Sequence, residues 1–134
     1  MDGGVGAGQK YASIGWTVFA AAKGADLTDP GPANSWLFLD EHPNAIDDEI
    51  LYINPGDTNG VGFFSELPGS LHNGAGAVTF CDGHTEIHKW LDPRTTPPVN
   101  PTANVSIMGT YQQVFMTAPN QDLAWFASKT PRAQ

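Results

Sequence analysis

Three side chains at alternate positions, His84, Glu86 and His88, have the types and spacing best suited to chemistry. On an extended strand, residues i, i+2 and i+4 point to one face, each about 6.5–7 Å from the next. Two imidazoles with a carboxylate between them would suit Zn²⁺ or another first-row metal. Asp40, Glu41 and His42 close a separate apolar run, and His72 and Asp82 bracket the segment between. If the strands that carry them are neighbours, these eight side chains converge. Asp47, Asp48 and Glu49 offer oxygen ligands for Ca²⁺, although they follow no EF-hand pattern. The simpler alternative is a solvated polar face opposite a buried apolar one, as a two-sided antiparallel strand displays. No pair of CxxC motifs and no HExxH run tightens the ligand spacing.

Hydrolytic chemistry asks for two carboxylates across a cleft, one with a raised pKa. Asp40 or Glu41 with Glu86 would supply them. A metal-dependent hydrolase of carbohydrate or ester would add His72, Asp82, His84 and His88. Trp36, Trp90 and Trp125 would stack on a sugar, in such an enzyme or in a polysaccharide-binding module, but their usual place is the core. Ser65 or Ser70 with His72 and Asp82 would make a nucleophilic triad, yet no G-x-S-x-G elbow is present. Cys81, beside a turn and opposite His84, is either an activated thiol or a half-buried structural residue. It is the single cysteine, so no intramolecular disulfide forms.

The elements that must position these groups belong to one domain, residues 1–134, long enough for one core. Fifteen Gly and 11 Pro predict short elements and long loops, and no 20–50-residue repeat is present. A net charge of −8 argues against nucleic-acid binding, which needs clustered Lys and Arg. Residues 1–10 read as an irregular leading segment, in which Gln9 breaks any phosphate-loop pattern. Tyr11–Lys23 reads as a strand and turn or a short helix. The apolar stretch Ile14–Ala22 is too short to span a membrane, and no signal peptide precedes it.

Ser35–Asp40 predicts a strand that Pro43 ends, and Glu49–Asn54 a second. Asn59–Ser70 reads as a long loop whose Phe63 and Phe64 pack as a lid. Asp82-Gly83 between two alternating runs predicts a two-residue type I′ hairpin. Cys81 then pairs with His84. Val78 faces Ile87 and Phe80 faces Thr85 on one apolar side, with Thr79–Glu86 and Ala77–His88 on the polar side. Residues 92–106 form a stiff, Pro-rich loop, and Asn120 caps a short helix over Asp122–Phe126.

His72 is followed by nine residues and then Asp82-Gly83, within LHNGAGAVTFCDGHTEIHKWLDPRT. This pattern resembles the C-terminal domain of the H-X9-DG prepilin-type proteins, which are pseudopilin-like. Trp36–Asp48 (WLFLDEHPNAIDD) looks like that family's vFlDEHPdSInD stretch, and Asp122–Thr130 (DLAWFASKT) like its closing DlaWLqeRT. The similarity covers roughly residues 11–130, with the three motifs in the family's order. Asn44 and Ala45 stand where the family has Asp and Ser, and the family's basic leader and long apolar helix have no counterpart in this sequence.

The resemblance implies a mostly-β, pilin-like α+β domain: an antiparallel sheet with long loops, its N-terminal helix missing. It implies a non-enzymatic assembly role in a type II secretion or type IV pilus-like system, outside the cytoplasmic membrane. The partners would be other pilin-like subunits or further copies of the chain, with membrane contact only through the missing helix. His72 and Asp82 would be a structural pair, the imidazole tying its loop to the Asp82-Gly83 turn. Some major pseudopilins hold Ca²⁺ in a C-terminal loop, so the resemblance keeps that ion in view. Sheet surface without its helix would be apolar and would be covered by self-association.

Overall fold

A computed structural model describes residues 24–46, 51, 53–55, 62–102, 112–115 and 119–131. The leading segment 1–10, the stretch 11–23, Asp47, Asp48, half of the Glu49–Asn54 run (Glu49, Ile50 and Tyr52), residues 103–106 and the side chain of Ser65 lie outside the described residues. Within them the protein is a mostly-β α+β fold. Its strands are β1 (Trp36–Leu39), β2 (Ile53–Asn54), β3 (Phe63–Glu66), β4 (Ala75–Phe80), β5 (Thr85–Lys89) and β6 (Gln112–Phe115), followed by α1 (Gln121–Lys129). They form two antiparallel three-stranded sheets, ordered β1-β4-β5 and β2-β3-β6. No helix among the described residues is long and apolar enough to cross a membrane.

The apolar run before Asp40 forms β1, as its composition predicts. The chain then turns at His42–Ala45, where Ala45 N–H donates to the His42 carbonyl (2.8 Å) and Pro43 takes the second position. The segment around Phe63 and Phe64 is not a loop. It is β3, the middle strand of its sheet, and Phe64 is fully buried. A four-residue strand between Gly62 and Leu67-Pro68 carries little local signal; β2 and β6 supply its ladder from distant parts of the chain.

The hairpin lies where Asp82-Gly83 predicts, but its turn is of another type. Gly83 N–H donates to the Phe80 carbonyl (2.9 Å) and Phe80 N–H to the His84 carbonyl (2.9 Å), so the loop has three residues, Cys81, Asp82 and Gly83. Of these only Gly83 has a positive φ, 93°, the pattern of a type I turn followed by a left-handed glycine. Asp82 stays out of the left-handed region while its carboxylate accepts the His84 N–H (3.1 Å). The extra residue moves the register by one: Ala77 pairs with Ile87, Val78 with Glu86 and Thr79 with Thr85. A one-residue slip exchanges the faces of a strand. His84, Glu86 and His88 therefore share the side of the buried Val78 and Phe80, whereas Ile87 is turned outward and 60% exposed.

A type I′-like pair occurs earlier, at Asn73-Gly74, with φ of 57° and 78°. His72 and Ala75 there exchange both backbone hydrogen bonds (3.1 and 3.2 Å). Asn-Gly is as strong a hairpin signal as Asp-Gly, so this turn was legible from its two residues.

The core draws on both sheets and the helix: Ile53, Phe64, Leu67, Val78, Phe80, Trp90, Leu123 and Phe126. Phe126 stacks on Trp90 (5.5 Å between centroids) and meets Phe64 and Trp36 edge-on (5.9 and 5.6 Å). Asn120 caps α1 as predicted, its side-chain oxygen accepting from Asp122 and Leu123 N–H (2.9 and 3.0 Å).

Candidate functional site

β4 separates β1 from β5. The residues that follow β1 and those on β5 are therefore not neighbours, and the proposed convergence of eight side chains does not form. Leu39 pairs with Val78, and Val78 with Glu86, so these three share a row on the core side. Asp40 belongs to the next row, where its N–H donates to Ala77 O (3.3 Å). Alternation thus points Asp40 and Glu86 to opposite faces, and they do not form a carboxylate pair across a cleft. Among the described residues no three His, Cys, Asp or Glu side chains gather as a metal-binding group.

Each histidine has its own surroundings. His72, at the turn before β4, lies 3.7 Å from the exposed Asp40 carboxylate. Asp82 lies beyond the other end of six-residue β4, about 20 Å of strand away. The expected His72–Asp82 tie therefore does not exist, nor does a Ser70–His72–Asp82 triad. Asp82 instead binds its neighbour: Oδ1 is 2.6 Å from His84 Nδ1. That hydrogen bond holds the Asp82 carboxyl below the usual range, and the His84 ring stacks on Phe80 (4.4 Å, 3°).

His88 packs between tryptophans. Its ring stacks on Trp125 (3.8 Å, 24°) and meets Trp90 edge-on (4.9 Å), with the Glu86 carboxylate 3.9 Å away. Burial holds its pKa down, helped by Lys129; the charges of Glu86 and Asp122 oppose that shift more weakly. Trp90 is buried and its Nε1 donates to Gly69 O (2.8 Å), while Trp36 and Trp125 pack partly buried against the core. These rings are core material and not an exposed platform for a sugar. Burial, with the Asp82 charge, pushes the Cys81 thiol up, so it stays protonated and weakly nucleophilic at neutral pH.

The polar residues of the two remaining motifs hold the 91–102 segment in place. His42 is buried, with Nε2 3.1 Å from Pro97 O and Nδ1 accepting Asn44 N–H (3.2 Å). The Asn44 amide pairs with the Asn100 backbone in both directions (2.8 and 2.7 Å). Asp122, also buried, accepts Leu91 N–H and Asp92 N–H on its two carboxylate oxygens (2.9 and 3.0 Å). Arg94 grips Asp92 with Nε and a terminal nitrogen (2.8 and 2.5 Å) and donates to Pro119 O (2.9 Å). The Arg94 hydrogen bonds hold the Asp92 carboxyl down.

Sequence reasoning took His42 as a ligand candidate and assigned no contacts to Asn44 or Asp122. Their partners lie between 30 and 56 residues away, and no local pattern announces such contacts. Chemically, the arrangement fastens an extended proline-rich segment, which lacks a ladder of its own, to the sheet and helix. Compared with known families, curated proteins and solved structures, the chain matches none.

Proposed function

We propose that this chain is a pilin-like domain that works by assembly and protein contact, within a type II secretion or type IV pilus-like system outside the cytoplasmic membrane. The observation that carries the reading is the outer face of the β1-β4-β5 sheet. Phe38 there is 53% exposed and Ile87 60%, beside the smaller Ala77 and Thr79. Leu37, at the irregularity in β1, is also exposed. Apolar side chains grouped on one sheet face suit a surface that another polypeptide covers. The opposite face already holds Trp90, Phe126 and the His88 stack. The described parts of the three motifs that resemble the prepilin-type family lie on this frame, and His42, Asn44, Asp82 and Asp122 within them make structural hydrogen bonds.

The test is fractionation of the native cells with an epitope-tagged chain at its own locus. The reading expects the protein outside the cytoplasmic membrane, in the fraction that shearing releases with surface filaments or in complex with pilin-like subunits. A chain confined to the cytoplasm, without such subunits, would refute it.

A further inference from the structure

We infer that the free edge of β5 is a self-pairing surface, joining two copies of the chain antiparallel about Ile87. Among the described residues β5 is an edge strand, bound on one side by β4. Phe80 N–H donates to His84 O and Trp90 N–H to Gly74 O (2.9 and 3.1 Å), so the even-numbered residues of β5 turn their backbone groups toward β4. Thr85, Ile87 and Lys89 turn theirs outward, and among the described residues these meet no further backbone partner.

The usual protections of an edge are weak here. β5 contains no proline, and its pairing with β4 runs without a bulge. Its single lysine is directed back along the sheet, Lys89 Nζ donating to the Asn73 carbonyl. The apolar residue at the strand's centre, Ile87, is the one that points outward and is exposed.

Charge selects both the occupant and the register. With the two-fold axis at Ile87, all five residues pair: Ile87 with its own copy, Thr85 with Lys89, and Glu86 with His88. A shift of the axis to Glu86 sets two carboxylates against each other, and a shift to His88 sets two imidazoles together and shortens the overlap. Of these three axes, the one at Ile87 gives each Glu86 a hydrogen-bonding imidazole and leaves no like pair opposed. The outward N–H and C=O groups of Thr85, Ile87 and Lys89 then fall at hydrogen-bonded positions. The result is a continuous six-stranded sheet with the two Ile87 side chains together on its outer face.

An edge of five residues is much smaller than a standard interface of about 800 Å² per partner. Association is therefore concentration-dependent, and salt, by screening the −8 charge of each copy, favours it. The inference goes beyond the assembly reading and does not depend on it. A chain that dimerises this way yet stays in the cytoplasm keeps the one and loses the other.

Sedimentation equilibrium of the full chain, up to millimolar concentration, should show a monomer–dimer equilibrium that rising salt shifts toward dimer. Ile87→Pro removes an outward N–H and no bond to β4, and Ile87→Lys places like charges at the axis. Each should weaken dimerisation at least tenfold with circular dichroism unchanged, and should Ile87→Pro disturb the fold, Ile87→Lys carries the test. In a Cys81→Ser background, Ile87→Cys should cross-link under mild oxidation, because residues paired across a ladder have Cα atoms about 5.5 Å apart. Thr85→Cys should not, lying four residues out of register with its own copy. A chain monomeric throughout, a dimer indifferent to both Ile87 variants, or equal cross-linking at both positions would overturn the inference.

Discussion

Replacing Gly76 with alanine should be among the more damaging single-methyl changes in this protein. Gly76 sits on the core side of β4, opposite His88 and beneath the Trp90 indole. A Cβ there would lie 2.6 Å from the Gly69 carbonyl oxygen and 3.2 and 3.3 Å from Cζ2 and Nε1 of Trp90. The Gly69 oxygen cannot retreat freely, because it accepts the buried Trp90 N–H at 2.8 Å. Forcing a methyl into packed surroundings costs about 1–3 kcal/mol, and leaving the indole donor unsatisfied about 1–3 kcal/mol more. Alanine returns about 0.5–1 kcal/mol through the lower chain entropy of the unfolded state. The net loss is about 1–5 kcal/mol, with a middle value of about 3 kcal/mol, which for a domain of this length lowers Tm by roughly 10 °C. Near-ultraviolet circular dichroism, which follows the packed tryptophans, is the assay, with urea titration for the free energy. A variant melting within about 2 °C of the parent would refute the reasoning, since the methyl would then have found room that the backbone contact denies it.

Asp122→Ala should destabilise by about 2–4 kcal/mol in urea titration, because it leaves two backbone donors, Leu91 and Asp92 N–H, without their acceptor. Asp122→Asn, which keeps one oxygen, should fall between. Acid should act through His88. Its folded pKa lies below its unfolded one, so the unfolded chain binds the proton first; stability is full above about pH 7.5 and declines as pH falls through about 6.5 toward the lower folded value. His88→Gln should flatten the urea midpoint across that window, and an unchanged slope would remove His88 as the cause. Gly83→Ala meets open space but must hold a φ of 93°. It should cost only about 1 kcal/mol in the same titration, a purely backbone penalty.

Much of this architecture could be read without coordinates because its signals are local. The apolar run of β1, the hairpin around Asp82-Gly83, the irregular proline-rich segment and the Asn120 cap each depend on residues a few positions apart. Strand alternation likewise put His84, Glu86 and His88 on one face. Which face that would be was another matter. It depended on whether the loop held two residues or three, a choice made by the Asp82 carboxylate and Gly83 together, and one residue was enough to turn Ile87 outward and His88 toward the tryptophans.

The sequence by itself determined the apolar runs, the turns and the helix start, since steric preference and short hydrogen bonds act over a few bonds of chain. Tertiary structure alone decided that β4 lies between β1 and β5, that Phe63 and Phe64 belong to a central strand, and that His72 faces Asp40. It alone decided that His42, Asn44 and Asp122 serve a segment dozens of residues away. Those outcomes rest on ladders and buried hydrogen bonds between distant stretches, whose energies exist only once the chain has brought the partners together.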